Sequence, residues 1–251
     1  MYTGFNTYLG YEDKSLLEHE FVVLSSKKID GNFILHHFIS QYLKNDAHIV
    51  LFGFSQILTH YSSACHKLGV NISTARDNNQ FVYVDILQLM QDGFLCENPS
   101  KDVIFSNLNS STFSLKKIYK MIQAKIPADK PTLVLIDDIS ILVNIGVTVQ
   151  AVCDFIHYCK VLSMQKNASF IISTQHNEDD VEYTAILSQL KSYATLQIHA
   201  KALATGYSRD LSGELNIVKH SENSPSARRL HFKLYDKDAK FFAPGMSSAV
   251  L

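Results

Sequence analysis

Glycine and proline are scarce in this chain of 251 residues, 10 and 5 in number, against average usage of roughly 7% and 5%. That scarcity excludes a collagen-like, low-complexity or extensively disordered chain. Excess charge of one sign is missing too: 23 lysines and arginines face 24 aspartates and glutamates. The whole molecule therefore has no field to draw in nucleic acid or an anionic membrane, and a polyanion must be held by a local patch or by charges from other subunits. Long apolar runs are absent as well. The longest stretch near the middle without Asp, Glu, Lys or Arg, Ile139 to Cys153, has 15 residues and contains Asn144 and Gln150. A membrane span takes about 20 apolar residues, so no membrane partner is expected. Near the amino terminus Glu12, Asp13, Glu18 and Glu20 stand where an export signal would run from basic to apolar, which predicts a reducing compartment. The cysteines Cys65, Cys96, Cys153 and Cys159 include no CxxC pair and are expected as free thiols. Neither G-x-G-x-x-G nor G-x-S-x-G occurs, so dinucleotide and hydrolase readings lack their minimum motif.

What the chain does have is apolar content, 46% of its residues. A domain of this length hides on the order of 70–75% of its unfolded surface, without help from disulfides or metals. Phe21-Val22-Val23-Leu24 is short and β-branched and precedes Ser25-Ser26-Lys27-Lys28, which predicts a buried strand running into a loop. After Asp30-Gly31-Asn32 the period changes. Ile34, Leu35, Phe38, Ile39 and Tyr42 share one helical face and His36, His37, Ser40 and Gln41 the other, predicting an amphipathic helix over residues 33–44. A strand at Ile49–Phe52 and a helix around 55–68, ending at Gly69, follow. Further strands are expected at Phe81–Val84, Leu133–Ile136 and Ser169–Ile172, with helices at about 111–125 and 148–160. This alternation asks for a parallel sheet covered on both faces. Beyond residue 193 the period becomes two, as Leu196, Ile198 and Ala200 alternate with Thr195, Gln197 and His199, and Leu230, Phe232 and Leu234 with His231, Lys233 and Tyr235. With a turn at Leu211-Ser212-Gly213, antiparallel strands extending the sheet are expected. The expected organisation is one α/β domain over residues 1–251, β-rich from about 193.

The segment after the first strand lies where a phosphate-binding loop would lie and can be laid on G-x-x-x-x-G-K-[ST]. Ser26 falls on the first glycine, Gly31 on the second, Asn32 on the lysine and Phe33 on the hydroxyl. The missing lysine would have paired with the β- and γ-phosphates and the missing hydroxyl would have held magnesium. A backbone anion nest at the helix start needs no side chain and stays open, beside the plainer reading of an ordinary turn. By helical angle Phe33 falls near His36 and Ser40, off the apolar arc; there it covers the loop or blocks a magnesium position. Downstream, Leu133-Val134-Leu135-Ile136-Asp137-Asp138 has the form of a Walker B strand that delivers carboxylates where ligands of open α/β sheets collect. Asp is also a common cap at a strand end, and that alternative stands. Gly53-Phe54-Ser55-Gln56 holds no glutamate where a RecA-type ATPase keeps its catalytic one. Gln175 falls where such proteins often keep a nucleotide-sensing polar residue. The acidic run Glu178, Asp179, Asp180 and Glu182 would repel phosphates unless solvated.

Other constellations carry less. His36 and His37 point about 100° apart on a helix, unlike the i, i+4 pair that clamps zinc, so no metal or cofactor is expected. Asp154 and His157, one turn apart, read as a surface pair. Basic residues gather at Lys27-Lys28, at Lys116-Lys117 with Lys120, and at Arg228-Arg229 with Lys233. Only if several share one rim would they make an RNA footprint.

The segments Lys28-Ile-Asp-Gly-Asn-Phe-Ile-Leu-His-His-Phe38, Val134-Leu-Ile-Asp-Asp-Ile-Ser-Ile-Leu142, Asp154-Phe-Ile-His-Tyr-Cys159, Leu203-Ala-Thr-Gly-Tyr-Ser-Arg-Asp210 with Gly213, and Phe241-Phe-Ala-Pro-Gly-Met-Ser-Ser-Ala-Val-Leu251 span nearly the full length. In this order the chain resembles the family of sixth subunits of the eukaryotic Elongator complex, RecA-like proteins without the catalytic motifs. The resemblance implies a non-enzymatic accessory subunit without a cofactor of its own. In that family the subunit joins the fourth and fifth Elongator subunits, two copies of each, in a hetero-hexameric ring. The ring associates with the catalytic subcomplex, binds tRNA and supports wobble-uridine modification in the cytoplasm, with the nucleus as a second location. On this reading Asp137 and Asp138 are remnants or caps. Arg209 and Asp210, in the turn before Gly213, are candidates for a structural or subunit contact, against a local salt bridge beside a β-turn. Two alternatives remain: a nucleotide-binding or hydrolysing RecA-like ATPase with an atypical loop, and a DNA-binding protein like the recombinase paralogues.

Overall fold

A computed structural model of the chain describes residues 2, 4–12, 15–95, 104–105, 115–220 and 225–246. Cys96, the start of the helical pattern at 111–114 and the carboxyl-terminal residues 247–251 of the quoted motif lie outside them. The strands are β1 (Phe21–Lys27), β2 (His48–Gly53), β3 (Phe81–Asp85), β4 (Thr132–Asp137), β5 (Ala168–Gln175), β6 (Leu196–Lys201), β7 (Gly213–Lys219), β8 (Ser226–Leu234) and β9 (Ala239–Phe242). The helices are α1 (Phe5–Leu9), α2 (Asn32–Lys44), α3 (Leu58–Lys67), α4 (Ile72–Asp77), α5 (Ile86–Leu95), α6 (Lys116–Lys125), α7 (Ile141–Asn144), α8 (Val149–Gln165) and α9 (Val181–Tyr193). The strands make one sheet in the order β3-β2-β4-β5-β1-β6-β7-β8-β9. It is parallel from β3 to β6 and antiparallel from β6 to β9.

Alternate residues of the parallel strands feed two apolar layers, as period two requires. Leu133 and Leu135 of β4 pack with α2, α3 and α4, whereas Val134 and Ile136 pack with α6, α8 and α9. The second layer ends at Phe21 and Val23 of β1, and no described residue of β6–β9 belongs to it. Among the described residues, the helices of the second layer do not extend over the antiparallel strands.

Three expectations need correction. First, the segment 196–201 pairs in parallel with β1 and antiparallel only with β7, so the antiparallel part begins one strand later than period two suggested. Second, Gly213 opens β7 instead of completing a turn. Third, α2 is not amphipathic in its surroundings. Residues 33–43 are all buried, because the amino-terminal segment covers His37 and Gln41 while His36 and Ser40 face α3 at His60, Tyr61 and Cys65. His37 accepts from the Tyr2 amide through Nδ1 (2.9 Å) and meets Asn6 Oδ1 through Nε2 (2.8 Å). Gln41 donates to the Ser15 carbonyl (2.6 Å) and the Tyr42 hydroxyl to the Leu17 carbonyl (3.0 Å). Polar groups buried with partners cost little, and although His36 Nε2, Ser40 Oγ and Gln41 Oε1 find none among the described residues, the bonds of His37, Gln41 and Tyr42 hold the face inside, where hydropathy alone would not place it.

Gly213 stands where a side chain does not fit: an added Cβ would lie 2.7 Å from the Lys201 carbonyl oxygen, 2.8 Å from Phe232 and 2.9 Å from Ile29. Overpacking of this kind costs about 1–3 kcal/mol, and Gly213→Ala is expected to lower the urea midpoint of unfolding by a corresponding amount. An unchanged midpoint would show that the β6–β7 pair yields easily.

Candidate functional site

The carboxyl ends of β1, β4 and β5 lie side by side, and β5 separates the loop-bearing strand from the aspartate-bearing one. A cavity of about 520 Å³ opens above them, lined by Lys28, Asn32, Gln56, Asp138, Ser140 and Gln175 among others. In an open α/β sheet this is where a ligand sits.

The chain itself fills the phosphate end of the cavity. Strand β1 continues through Ser25, Ser26 and Lys27, so Ser26 belongs to the sheet, in register with Gln175 and Ala200, and not to the loop where the motif alignment placed it. Its hydroxyl donates to the Gln175 side-chain oxygen (3.4 Å). What remains of the loop lies down on the sheet: a Cβ on Gly31 would be 3.3 Å from that of Ser26 and 3.6 Å from that of Ala200. The Asn32 amide, at the start of α2, donates to the carboxylate of Asp30 (2.8 Å). An aspartate thus occupies the anion position of the helix start, with the charge that a phosphate would bring. Phe33 does not cover the loop. It is buried in the layer beneath, with its ring 4.9 Å from Phe232 and 6.0 Å from Tyr2.

Asp137 and Asp138 are both buried, and the peptide between them is cis. Asp137 accepts from the Tyr61 hydroxyl on α3 (2.5 Å) and from the Ser173 hydroxyl on β5 (2.6 Å), one on each carboxylate oxygen. Burial holds its carboxyl above the usual range, opposed by these two donors. Asp138 turns back on its own chain and accepts from the Ser140 amide (2.9 Å) and hydroxyl (2.6 Å). Burial lifts its pKa to about 6, against the pull of Ser140 and with a smaller push from Asp137. Both carboxylates work as staples: Asp137 ties α3 and β5 to β4, and Asp138 shapes the turn into α7. Sequence reading missed Tyr61 and Ser173, which lie 76 and 36 residues from Asp137 and carry no local signal. The bond from the Asn32 amide to Asp30 was missed as well, although Asp often closes such a two-residue turn on its own backbone.

The remaining candidates separate. Gln175 ends β5 at the cavity, as expected from its place after the strand. In the acidic run, Asp180 caps α9 through the Glu182 and Tyr183 amides and Glu178 pairs with Lys27 (2.5 Å). Arg209 and Asp210 are exposed; the Arg209 carbonyl accepts from Lys233 (2.6 Å), and no ion pair joins the two among the described residues. Asp154 and His157 are not paired, since Asp154 accepts from Gln150 (2.8 Å) and His157 meets the Tyr193 hydroxyl (2.9 Å). Cys65 and Cys159 are buried and free, and Cys153 is half-buried and free. Among the described residues no group of three His, Cys, Asp or Glu side chains is placed to hold a metal ion, and no helix is long and apolar enough to cross a membrane.

This architecture resembles that of the flagellar accessory protein FlaH from Methanocaldococcus jannaschii, with a TM-score of 0.58 and 14% identity over 88% of each chain. That likeness shows the fold, a RecA-like α/β core with antiparallel strands at the carboxyl end. Sequence comparison reaches further. Residues 2–236 match the family model of Elongation complex protein 6. Elongator complex protein 6 of Danio rerio is 30% identical over 264 residues, and that of Homo sapiens 30% over 267, each alignment covering 100% of both chains. The protein of the same name from Drosophila melanogaster is 23% identical over 90% of each chain. A RecA-like sheet with its phosphate position filled from within, matched end to end by these relatives, belongs to the Elongator complex protein 6 family.

Proposed function

We propose that this chain is a non-catalytic subunit that assembles with the fourth and fifth Elongator subunits into a hetero-hexameric ring. The ring joins the catalytic subcomplex and supports tRNA binding and wobble-uridine modification, in the cytoplasm and also in the nucleus. The observation that carries this reading is the filled cradle: Asp30 holds the amide where a phosphate would sit, Gly31 rests on Ser26 and Ala200, and Asp137 is engaged by Tyr61 and Ser173. The same geometry disfavours the ATPase alternative, in which magnesium and a phosphate would need those positions. Family membership favours an Elongator role over a recombinase-like one. The whole chain acts as one unit in this role, and exposed Arg209 and Asp210 meet a neighbouring subunit.

The test mixes the full chain with its two partner subunits and weighs the product by native mass spectrometry, with nucleotide turnover followed in parallel. A defined hexamer with two copies of each subunit is expected, and the chain alone shows no magnesium-dependent hydrolysis of ATP. A monodisperse monomer that ignores both partners, or turnover abolished by Asp137→Ala, would overturn the reading.

A further inference from the structure

Among the described residues no helix lies over the second face of the antiparallel extension, where Phe242 of β9 is buried beside His231, and the cations that the sequence scatters converge there. Strand alternation puts Lys27 of β1, His199 and Lys201 of β6, Glu214 and Asn216 of β7, and Arg229, His231 and Lys233 of β8 on this side. Arg228, on the opposite side, instead donates to the carbonyls of Thr7 and Tyr8. Two lysine pairs stand directly opposite one another across neighbouring strands, Lys27 with Lys201 and Lys233 with Lys240. Like charges in such register are destabilising, so a sheet face that keeps them carries a repulsion that an anion relieves. Two carboxylates answer these five cations. Glu178 pairs with Lys27, and Glu214, nearly buried, accepts from Arg229 (2.6 Å) and lies 3.2 Å from Lys201. Lys233 and Lys240 meet no carboxylate among the described residues: one donates to the Arg209 carbonyl and the other lies over the Tyr235 ring. Tyr207, 95% exposed in the loop that joins β6 to β7, adds an aromatic ring near this end of the sheet.

We propose that this open face, centred on Lys201, Arg229, Lys233 and Lys240, holds the phosphate backbone of an RNA. The chain has no net positive charge, so its footprint must be local, and here alternate strand positions bring the cations onto one surface at strand spacing, where Glu178 and Glu214 answer Lys27, Lys201 and Arg229 and leave Lys233 and Lys240 without a carboxylate among the described residues. Of the basic groups in the sequence, Lys27 and the Arg229–Lys233 pair share this surface, whereas Lys116, Lys117 and Lys120 lie apart on α6. An open sheet with basic side chains and a peripheral aromatic suits single-stranded or looped RNA, whose phosphates and bases both remain reachable.

The inference rests on the RNA part of the proposed function, and the test distinguishes the two. Fluorescence anisotropy follows a labelled tRNA transcript binding to the full chain assembled with its partner subunits, at about 50 and 150 mM salt. Reversing Lys233→Glu with Lys240→Glu is expected to weaken binding about tenfold or more and to make the slope of log K against log salt shallower by about 2. Lys233→Gln with Lys240→Gln, which keeps polar amides at both positions, weakens it in the same direction, so the effect follows charge and not support of the Arg209 loop. The matched reversal Lys116→Glu with Lys120→Glu on α6 leaves affinity unchanged. If the wild-type assembly binds no tRNA, the RNA role itself falls. If it binds and the face variants behave like the α6 variant, only the face assignment falls. If the face variants no longer join the partner subunits, the face docks an acidic protein surface and the RNA assignment is overturned.

Discussion

Replacing Tyr61 by alanine is expected to lower the free energy of unfolding by about 3–5 kcal/mol, the cost of emptying a fully buried aromatic site. The ring is 0% exposed and packs edge-on against His60 at 5.6 Å and against His36 at 6.1 Å. Its hydroxyl also donates to Asp137, so the substitution removes a donor from a buried carboxylate as well as apolar volume. Tyr61→Phe separates the two effects. It keeps the packing and removes one hydrogen bond, at an expected cost of about 1–3 kcal/mol. Urea unfolding followed by circular dichroism measures both. A Tyr61→Phe variant as stable as wild type would mean that Asp137 is not spent on α3, and the case for a carboxylate withdrawn from magnesium chemistry would weaken with it. Assembly with the partner subunits is unaffected by Tyr61→Phe, because the contact is internal.

Elements that rest on local pattern were legible in the sequence. The strands around Ile49–Phe52, Phe81–Val84, Leu133–Ile136 and Ser169–Ile172 each lie inside an observed strand, because buried parallel strands are short, apolar and β-branched wherever they occur. The helix expected at 148–160 exists and runs on to Gln165. What local pattern cannot carry is a position stabilised from far away. Ser25, Ser26 and Lys27 read as loop, yet Ser25 and Ser26 pair with Thr174 and Gln175, the Ser26 carbonyl accepts from the His176 amide, and all three pair with β6 on the other side. That register depends on contacts about 150 residues distant, and it decides the fate of the phosphate site. Likewise α9 hid behind its acidic start, which reads as a solvated run until Asp180 is seen to cap it. In the candidate site, the strand ending in Asp137-Asp138 could be read directly, whereas the filling of the cradle depends on how Gly31 settles against Ser26 and Ala200. The charged face of β6–β8 was half legible: the basic residues stood in the sequence, but only the pairing of the strands brings them to one side.

Acid should loosen the amino-terminal segment through a single imidazole. His37 is fully buried, with Nδ1 accepting from the Tyr2 amide and Nε2 facing Asn6 Oδ1, so the neutral ring with its proton on Nε2 satisfies both partners. A second proton would have to sit on Nδ1, against the Tyr2 N–H, and its charge would be buried. Burial accordingly depresses the pKa from 6.5 to about 3. Because the folded value lies below the unfolded one, the stabilisation by His37 is complete above pH 6.5 and is lost progressively as pH falls toward 3. Between pH 7 and pH 5 the loss amounts to about 2 kcal/mol, at roughly 1.4 kcal/mol per pH unit once the unfolded histidine is charged. Asp137 and Asp138 act in the opposite direction, since their raised values favour the folded state on acidification, and His36, depressed to about 4, adds to the loss. A comparison with His37→Asn cancels these other groups. The asparagine keeps a polar partner for the Tyr2 amide and does not titrate, so its stability relative to wild type should rise by about 2 kcal/mol from pH 7 to pH 5. Two parallel pH profiles would show instead that the ring is not held neutral by Tyr2 and Asn6, and that residues 2–20 are secured by their apolar side chains alone. The expected divergence identifies His37 as the group that couples this segment to α2, the helix that leads out of the filled phosphate loop.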